Sequence, residues 1–359
     1  MAHQHKALLI HSKGGRLELG LRDTPTLSAG QVLIRNICVG LAPIDAYIQA
    51  RGFFIEDRLP AVIGFDGAGE VHTLGPNVEG WKVGDKVLYQ GHMTNDGATF
   101  QEYTVADAVR VAKIPSNMTF EQAASIPINL ATAAIGIYAE KRDTLRPDGF
   151  DLGGAGLTPP WAAGGRGKYA GKAALVISGS SSVGQYALQL LKASGFSPLI
   201  ATASKTNEEY CKAAGATHVI DHKGVPFSDL PAAVKRIIGD TSLSFIYDAW
   251  ARGGSQQAAF SLVPSGGALC TAMPAEVGER AKDDAQGRRV VCPYGSVNAE
   301  HHHDFGAEMY AHLTEMLEKG ELKPNNIKLL DGGFEAIPAG CDELLKGVSA
   351  VKIVARVAE

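Results

Sequence analysis

The sequence predicts an α/β protein, a doubly wound parallel sheet joined to a β-rich domain built from two separated stretches of chain. Three observations carry this expectation. From Lys172 onward, short apolar runs alternate with segments of helical periodicity, the pattern of strands and helices layered on one sheet. The first of those runs, Ala173 to Ser178, is apolar almost throughout, as a strand covered on both faces must be. The first third of the chain instead holds short β-branched or aliphatic runs divided by Gly and Pro, as in a barrel-like β domain.

At 359 residues the chain exceeds what one core usually organises, so two domains are expected. Its 45% hydrophobic and 20% charged residues are those of an ordinary globular protein. A net charge of -4 gives no electrostatic reason to bind nucleic acid or a membrane surface. The run Ala7 to Ile10 is too short for a signal-peptide core, and no window reaches the roughly 18 apolar residues of a spanning helix. The five cysteines (Cys38, Cys211, Cys270, Cys292 and Cys341) are scattered, which suggests neither a disulfide framework nor a metal knuckle. A cytoplasmic, reduced protein is expected.

Along the chain, Ala7–Ile10, Gln31–Val39, Gly67–Leu74 and Lys86–Gln90 read as strands. Thr119 then suits a helix N-cap, because its hydroxyl can accept an orphan N–H of the first turn; Glu121, Gln122 and the Ala123-Ala124 pair follow. A second helical pattern covers Leu130 to Lys141. Asp143 to Gly171 is Gly- and Pro-rich without periodicity, which predicts a surface loop or linker. Its length is unusual inside a domain and suggests the border of a ligand site, with a solvated insertion as the plainer alternative.

Beyond it, strands are expected at Ala173–Ser178, Pro198–Ala203, His218–Asp221, Leu243–Asp248 and Ala268–Ala272. Helices are expected at Val183–Ser194, Asn207–Ala214, Pro231–Ile238 and Gly254–Leu262. This alternation is the Rossmann arrangement. A helix over Phe305–Glu318 and a strand over Ala350–Val357 close the chain. A last strand returning to the N-terminal sheet would make that domain discontinuous. The expected division is residues 1–127 with 303–359 in the β-rich domain, and 128–302 in the Rossmann domain.

The strand Ala174–Ile177 runs into Ser178-Gly179-Ser180-Ser181-Ser182-Val183-Gly184 and then a helix. Small residues let the backbone approach a pyrophosphate, and the helix start offers unpaired N–H groups and partial positive charge. Gly179, Ser181, Ser182 and Val183 are therefore candidate cofactor residues, although Ser181 stands where the strict G-x-G-x-x-G pattern has its second Gly. A plain strand-to-helix turn is the alternative. NAD-binding folds usually end the second strand with an acid that holds the ribose hydroxyls. Here that strand ends Thr202-Ala203-Ser204-Lys205-Thr206-Asn207, with no acid before Glu208. A carboxylate would repel a 2′-phosphate, whereas Lys205 with the Ser204 hydroxyl would bind it. Asn207 closes that stretch, and His222, ending the third strand, suits stacking on adenine or bonding the same phosphate. NADPH is the expected cofactor; a merely solvated Lys205 is the alternative.

Gly64-Phe65-Asp66-Gly67-Ala68-Gly69-Glu70-Val71 and Trp81-Lys82-Val83-Gly84-Asp85-Lys86-Val87 resemble the β domain of the medium-chain dehydrogenases/reductases. With the Ser/Gly turn and Gly332-Gly333-Phe334, the resemblance extends over nearly the whole chain. It is closest to the zinc-free fungal branch of quinone-oxidoreductase-like proteins and trans-acting enoyl reductases, and it implies a chaperonin-10-like catalytic domain beside the Rossmann domain. Zinc-dependent members place Cys-His where this chain has Ala42-Pro43, and His-Glu where it has Phe65-Asp66. Ala42 and Phe65 cannot bind zinc, and Gln90 to Ala106 holds no cysteine for a structural zinc. No metal is expected, and the chemistry turns away from alcohol oxidation. His301-His302-His303-Asp304 does not change this: consecutive histidines on a short loop diverge, and a polar rim of the substrate cleft is the expected role.

The resemblance also implies site residues. Leu41-Ala42-Pro43-Ile44-Asp45-Ala46-Tyr47 matches the family's loop beneath the nicotinamide, which makes Tyr47 a candidate donor to the substrate α-carbon or a support for the enolate oxygen. Packing on the nicotinamide, with water as the donor, is the alternative. Asp45 is expected to orient the loop or bond a cofactor hydroxyl. Thr132 matches a threonine near the nicotinamide, unless its hydroxyl only bonds its own helix. Ala272-Met273 and Val351-Lys352 match segments that close over the nicotinamide half. The implied reaction is hydride transfer from NADPH to the C=C of an α,β-unsaturated carbonyl, either a small molecule or one carried by a polyketide synthase. Quinone reduction and non-catalytic NADPH binding are the alternatives; a monomer and a homodimer both fit the family.

Overall fold

The computed structural model describes residues 4–358. The chain divides into two units: the first holds everything up to Ile128, Ser296–Gly320 and the chain from Pro324 onward, and the second holds Asn129–Gly295 with Glu321–Lys323. In order, the first unit begins β1 (Gln4–Leu9), β2 (Glu18–Asp23), β3 (Gln31–Leu41), α1 (Pro43–Arg51), β4 (Asp66–Leu74), β5 (Lys86–Gln90), β6 (Tyr103–Asp107), β7 (Val111–Lys113) and α2 (Phe120–Ala123). Helix α3 (Pro127–Tyr138) leads into the second unit. There follow β8 (Ala173–Ile177), α4 (Ser182–Ala193), β9 (Leu199–Ala203), α5 (Glu208–Ala214), β10 (His218–Asp221), α6 (Leu230–Ile238), β11 (Leu243–Asp248), α7 (Ser255–Leu262), β12 (Ala268–Thr271) and β13 (Arg289–Val291). The chain ends with α8 (His303–Glu318), β14 (Ile327–Leu330), α9 (Ile337–Lys346) and β15 (Lys352–Arg356).

In the first unit a seven-stranded sheet runs β14-β15-β3-β4-β5-β7, with β6 also on β3. Strand β15 lies inside this order, antiparallel to β3 and parallel to β14. Ile353, Val354 and Ala355 are therefore fully buried, and Ile353 and Ala355 pack with Leu41, Ile48, Phe100 and Ile337. Each such aliphatic side chain contributes roughly 1.5–3 kcal/mol on burial. The C-terminal run thus completes a sheet whose first strand, β3, starts at Gln31.

In the second unit the order β10-β9-β8-β11-β12-β13 is parallel throughout. That is the doubly wound order, with β8 at the centre and the switch point between β8 and β11. Strands β8 and β9 are buried at every residue, which explains their unbroken apolar sequence. Helix α4 packs Tyr186, Ala187, Leu190 and Leu191 inward.

Two sequence expectations change. The stretch 41–47, expected as a loop, is the end of β3, one linking residue and the first turn of α1. Pro43 presets the first helical φ, and the Asp45 carboxylate accepts the Ala42 N–H at 2.7 Å, so the helix starts at once. The stretch 143–171 is a loop without helix or strand, as one of its two readings had it, but it is no linker, being anchored within the second unit. Asp151 N–H donates to Cys292 O (2.8 Å), the Asp151 carboxylate accepts the Cys292 N–H (2.7 Å), and Tyr169 stacks on Phe196 at 4.8 Å. Thr119 does cap a helix, in a reciprocal box: its hydroxyl accepts the Gln122 N–H and its own N–H donates to the Gln122 side chain.

Candidate functional site

In the second unit the expected cofactor residues share one edge of the sheet. The turn after β8, the turn after β9, His222 after β10 and Ala272-Met273 after β12 all follow carboxyl ends of parallel strands, where such folds take ligands. Ser178 opens its turn at φ 60°, a conformation costly for a residue with a Cβ, and is held there from β9. Its N–H donates to Thr202 Oγ1 (3.0 Å), and the Gly179 N–H donates to Thr202 O (2.9 Å).

Ser181 is the N-cap of α4. Its Oγ accepts the Gly184 N–H at 3.1 Å and donates to Ser178 O at 2.8 Å. The hydroxyl proton thus points back into the turn, so Ser181, expected as a phosphate donor, instead shapes the backbone. Gly184 is required for the same closeness: a Cβ there would lie 2.3 Å from Ser178 O. Ser182 and Val183 form the first turn of α4, which carries no acidic residue, and the Val183 N–H has no partner among the described residues. A helix start with a free donor and no competing carboxylate fits an anion such as the pyrophosphate of a dinucleotide.

After β9, Ser204 leads into a short helical turn, Lys205–Asn207. Ser204 Oγ lies 3.0 Å from His222 Nε2, and Asn207 Nδ2 donates to Ser180 Oγ at 3.3 Å, which joins this turn to the first. Lys205 is exposed and makes no ion pair among the described residues. Glu208, the first acid of the stretch, is taken by Lys212 at 2.7 Å. At the end of β12, Ala272 N–H donates to Asp248 O (3.0 Å) and Thr271 Oγ1 to Met273 O (2.8 Å).

The sequence reading missed Asp248. Its buried carboxylate accepts from Trp250 N–H (3.1 Å), Ala251 N–H (2.8 Å) and Ser255 Oγ (2.6 Å), fixing the loop after β11. An acid at a strand end just before Gly253-Gly254 was the available signal. Thr132, half-buried on α3, faces Gly295 so closely that a Cβ there would come within 2.3 Å of its Oγ1.

In the first unit, Tyr47 is half-buried on α1, and the Arg51 guanidinium one turn later lies 5.6 Å from its ring centroid. Asp45 is fully buried; one oxygen accepts the Ala42 N–H and the other has no partner among the described residues. Burial raises its carboxyl to about 8. Asp45 therefore serves the start of α1. Lys352, expected to bind cofactor, is instead buried in an ion pair with Asp66 (2.6 Å). The other Asp66 oxygen accepts the Ile128 N–H at 2.6 Å, and burial pushes the Asp66 carboxyl upward against the pull of Lys352. The ammonium is committed because β15 is an internal strand, a fact of tertiary packing.

Ala42 and Phe65 are buried and offer only carbon, so the residues at these positions do not fit a catalytic zinc. Among the described residues no group of three or more His, Cys, Asp or Glu could hold a metal ion. His302, expected on a polar rim, is buried with Nδ1 2.9 Å from Ser296 O; His303 Nε2 lies 3.1 Å from Asn298 O. These rings tie down the start of α8. Among the described residues no helix is long and apolar enough to cross a membrane.

Residues 28–116 match the alcohol dehydrogenase GroES-like domain and residues 182–279 the zinc-binding dehydrogenase domain. Dehydrogenase orsE of Emericella nidulans is 30% identical over 362 residues, 98% of this chain and 98% of its own. The lovastatin nonaketide synthase enoyl reductase component lovC of Aspergillus terreus is 28% identical over 367 residues, 98% of this chain and 96% of its own. An alcohol dehydrogenase superfamily protein from Novosphingobium aromaticivorans shares the fold, with a TM-score of 0.76 and 24% identity over 98% of this chain and 99% of that one. The fold and the strand-end turns define a nicotinamide-dependent oxidoreductase. The chain belongs to the medium-chain dehydrogenase/reductase family.

Proposed function

We propose that the protein is a zinc-independent enoyl reductase that uses NADPH. The observation that carries the choice of cofactor is the end of β9: no acid, an exposed unpaired Lys205, and a Ser204 hydroxyl set against His222. The substrate class, an α,β-unsaturated carbonyl that is free or borne by a polyketide synthase, is supported by relatives such as lovC, named as the enoyl reductase component of such a synthase.

When bound, the cofactor supplies a hydride for the substrate β-carbon. The chain's own residues do the rest. The N–H groups of Ser182 and Val183 take the pyrophosphate. Lys205 and Ser204 take the 2′-phosphate, and His222 fixes the Ser204 hydroxyl for it. Thr132 offers its hydroxyl to the nicotinamide carboxamide. Tyr47 holds the proton destined for the α-carbon, and Arg51, one turn later on α1, packs on its ring.

The test is an acceptor panel of enones, enoyl thioesters and quinones, run with NADPH and NADH in parallel. Turnover of enoyl thioesters or enones with NADPH is expected. Turnover of quinones alone would replace this reading, and NADPH binding without turnover of any acceptor would make the protein a binding module. Lys205→Glu should weaken NADPH by at least about tenfold more than NADH, since a charge-assisted bond of roughly 1.5–3 kcal/mol is lost. Equal losses would remove the phosphate role. Tyr47→Phe should lower kcat by about 10²-fold, the lower range of general-acid contributions, with the KM for NADPH unchanged.

A further inference from the structure

We propose that the first part of the long loop, residues 143–151, is a positioning device for the Thr132 hydroxyl, acting through the segment Cys292–Gly295. This rests on the reading that Thr132 meets the nicotinamide.

The segment leaves the edge strand β13 and is gripped on one side by the loop. Asp151 N–H donates to Cys292 O (2.8 Å), Cys292 N–H to the Asp151 carboxylate (2.7 Å), and Tyr294 N–H to Asp151 O (3.1 Å). These bonds add Asp151 to the sheet as one further bridge, parallel to Pro293. The Tyr294 ring is then covered from the loop. The Arg146 guanidinium lies 3.8 Å from its centroid, and Phe150 packs against its edge at 6.2 Å. Arg146 is itself held by Asp148 at 3.1 Å and by its N–H to Phe150 O at 2.8 Å.

The other side of the same segment presses on α3. Successive residues of an extended chain face opposite ways, so Pro293 and Gly295 face α3 while Tyr294 faces the loop. A Cβ on Gly136 would come within 3.1 Å of Pro293 Cγ, and a Cβ on Gly295 within 2.3 Å of Thr132 Oγ1 and 3.2 Å of Thr132 Cα. No space separates the Gly295 backbone from the hydroxyl. In so close-packed a contact, a shift of the segment moves the side chain it touches. The loop sets where 292–295 lies, and 292–295 sets where the Thr132 hydroxyl lies. The anchorage is more elaborate than a solvated insertion needs.

The experiment is a double-mutant cycle in the full chain between Tyr294→Ala and Thr132→Ala. It reads kcat, KM, NADPH Kd, the nicotinamide emission of bound NADPH and the melting temperature. Thr132→Ala should lower kcat and change the emission. Tyr294→Ala should reproduce both, with kcat down roughly 10- to 100-fold, the cost of a misplaced group, and Kd nearly unchanged. Tyr294→Phe, which keeps the stack, should restore kcat and emission toward wild type. The double variant should be no worse than Thr132→Ala alone, because coupled residues are not additive. If Tyr294→Ala does not fold, Arg146→Ala removes the stack without emptying the interior and carries the same comparison. A Thr132→Ala defect to which the second substitution adds in full, or a loss of melting temperature alone, overturns the inference. No effect of Thr132→Ala overturns the reading of Thr132 and the inference with it.

Discussion

Asp45 shows how one residue couples local and global structure. Its carboxyl starts helix α1 and lies where water cannot reach it, so burial raises its pKa from 3.8 to about 8. Between those values the folded chain keeps a proton that the unfolded chain has released. Stability therefore falls as pH rises from about 4 to about 8, and this contribution is flat above. Asp45→Asn keeps the acceptor for Ala42 and has nothing to titrate, so its melting temperature should depend less on pH across that window; thermal unfolding from pH 5 to 8 measures it. Lys352 makes the complementary case. Lys352→Ala would strand a buried Asp66 carboxylate and should cost about 3–5 kcal/mol in denaturant unfolding, whereas Lys352→Met with Asp66→Leu should recover much of that. Both residues are plain in the sequence, but their burial is not. Lys352 therefore read as a cofactor ligand.

At the scale of elements, the turn from β8 into α4 was legible almost to the residue. Its signals are local: an apolar run, small residues, then a helical period. What each hydroxyl does within it was not. If Ser181 is a cap, Ser181→Ala should cost about 1 kcal/mol of stability and leave NADPH affinity within a few-fold; calorimetry with a cofactor titration separates the two. A large affinity loss at unchanged stability would return the hydroxyl to the phosphate. The strands that sequence reading missed are short or sit at edges. Strand β2, Glu-Leu-Gly-Leu-Arg-Asp, has no buried residue, and β14 is no more covered, so neither shows an apolar run. Strands β6, β7 and β13 are only three to five residues long. Helix α9 begins Ile337-Pro338, and a proline is well placed in a first helical turn.

At the scale of the molecule, the first unit depends on the last residues of the chain. Removing residues 351–359 would delete an internal strand, expose β3 and β14 edges and unpair Asp66. The truncated protein should lose the cooperative unfolding of that unit, seen by circular dichroism and by proteolysis within residues 4–128. By contrast, Arg356→Ala removes a partly exposed ion pair with Glu121 and a long bond to Ala358 O, and should change stability by less than about 1 kcal/mol.

The sequence by itself determined the α/β class, the doubly wound alternation, the Ser/Gly turn between β8 and α4 and the missing acid after β9. Each of these is written in neighbouring residues, where periodicity, capping and turn chemistry act. Only the tertiary structure decided that Lys352 pairs with Asp66 across 286 residues, and that the loop at Asp151 grips Cys292 across 141. It likewise turned His302 inward. These outcomes depend on which distant segments exclude water from a given polar group, and burial of that kind comes from packing the whole chain.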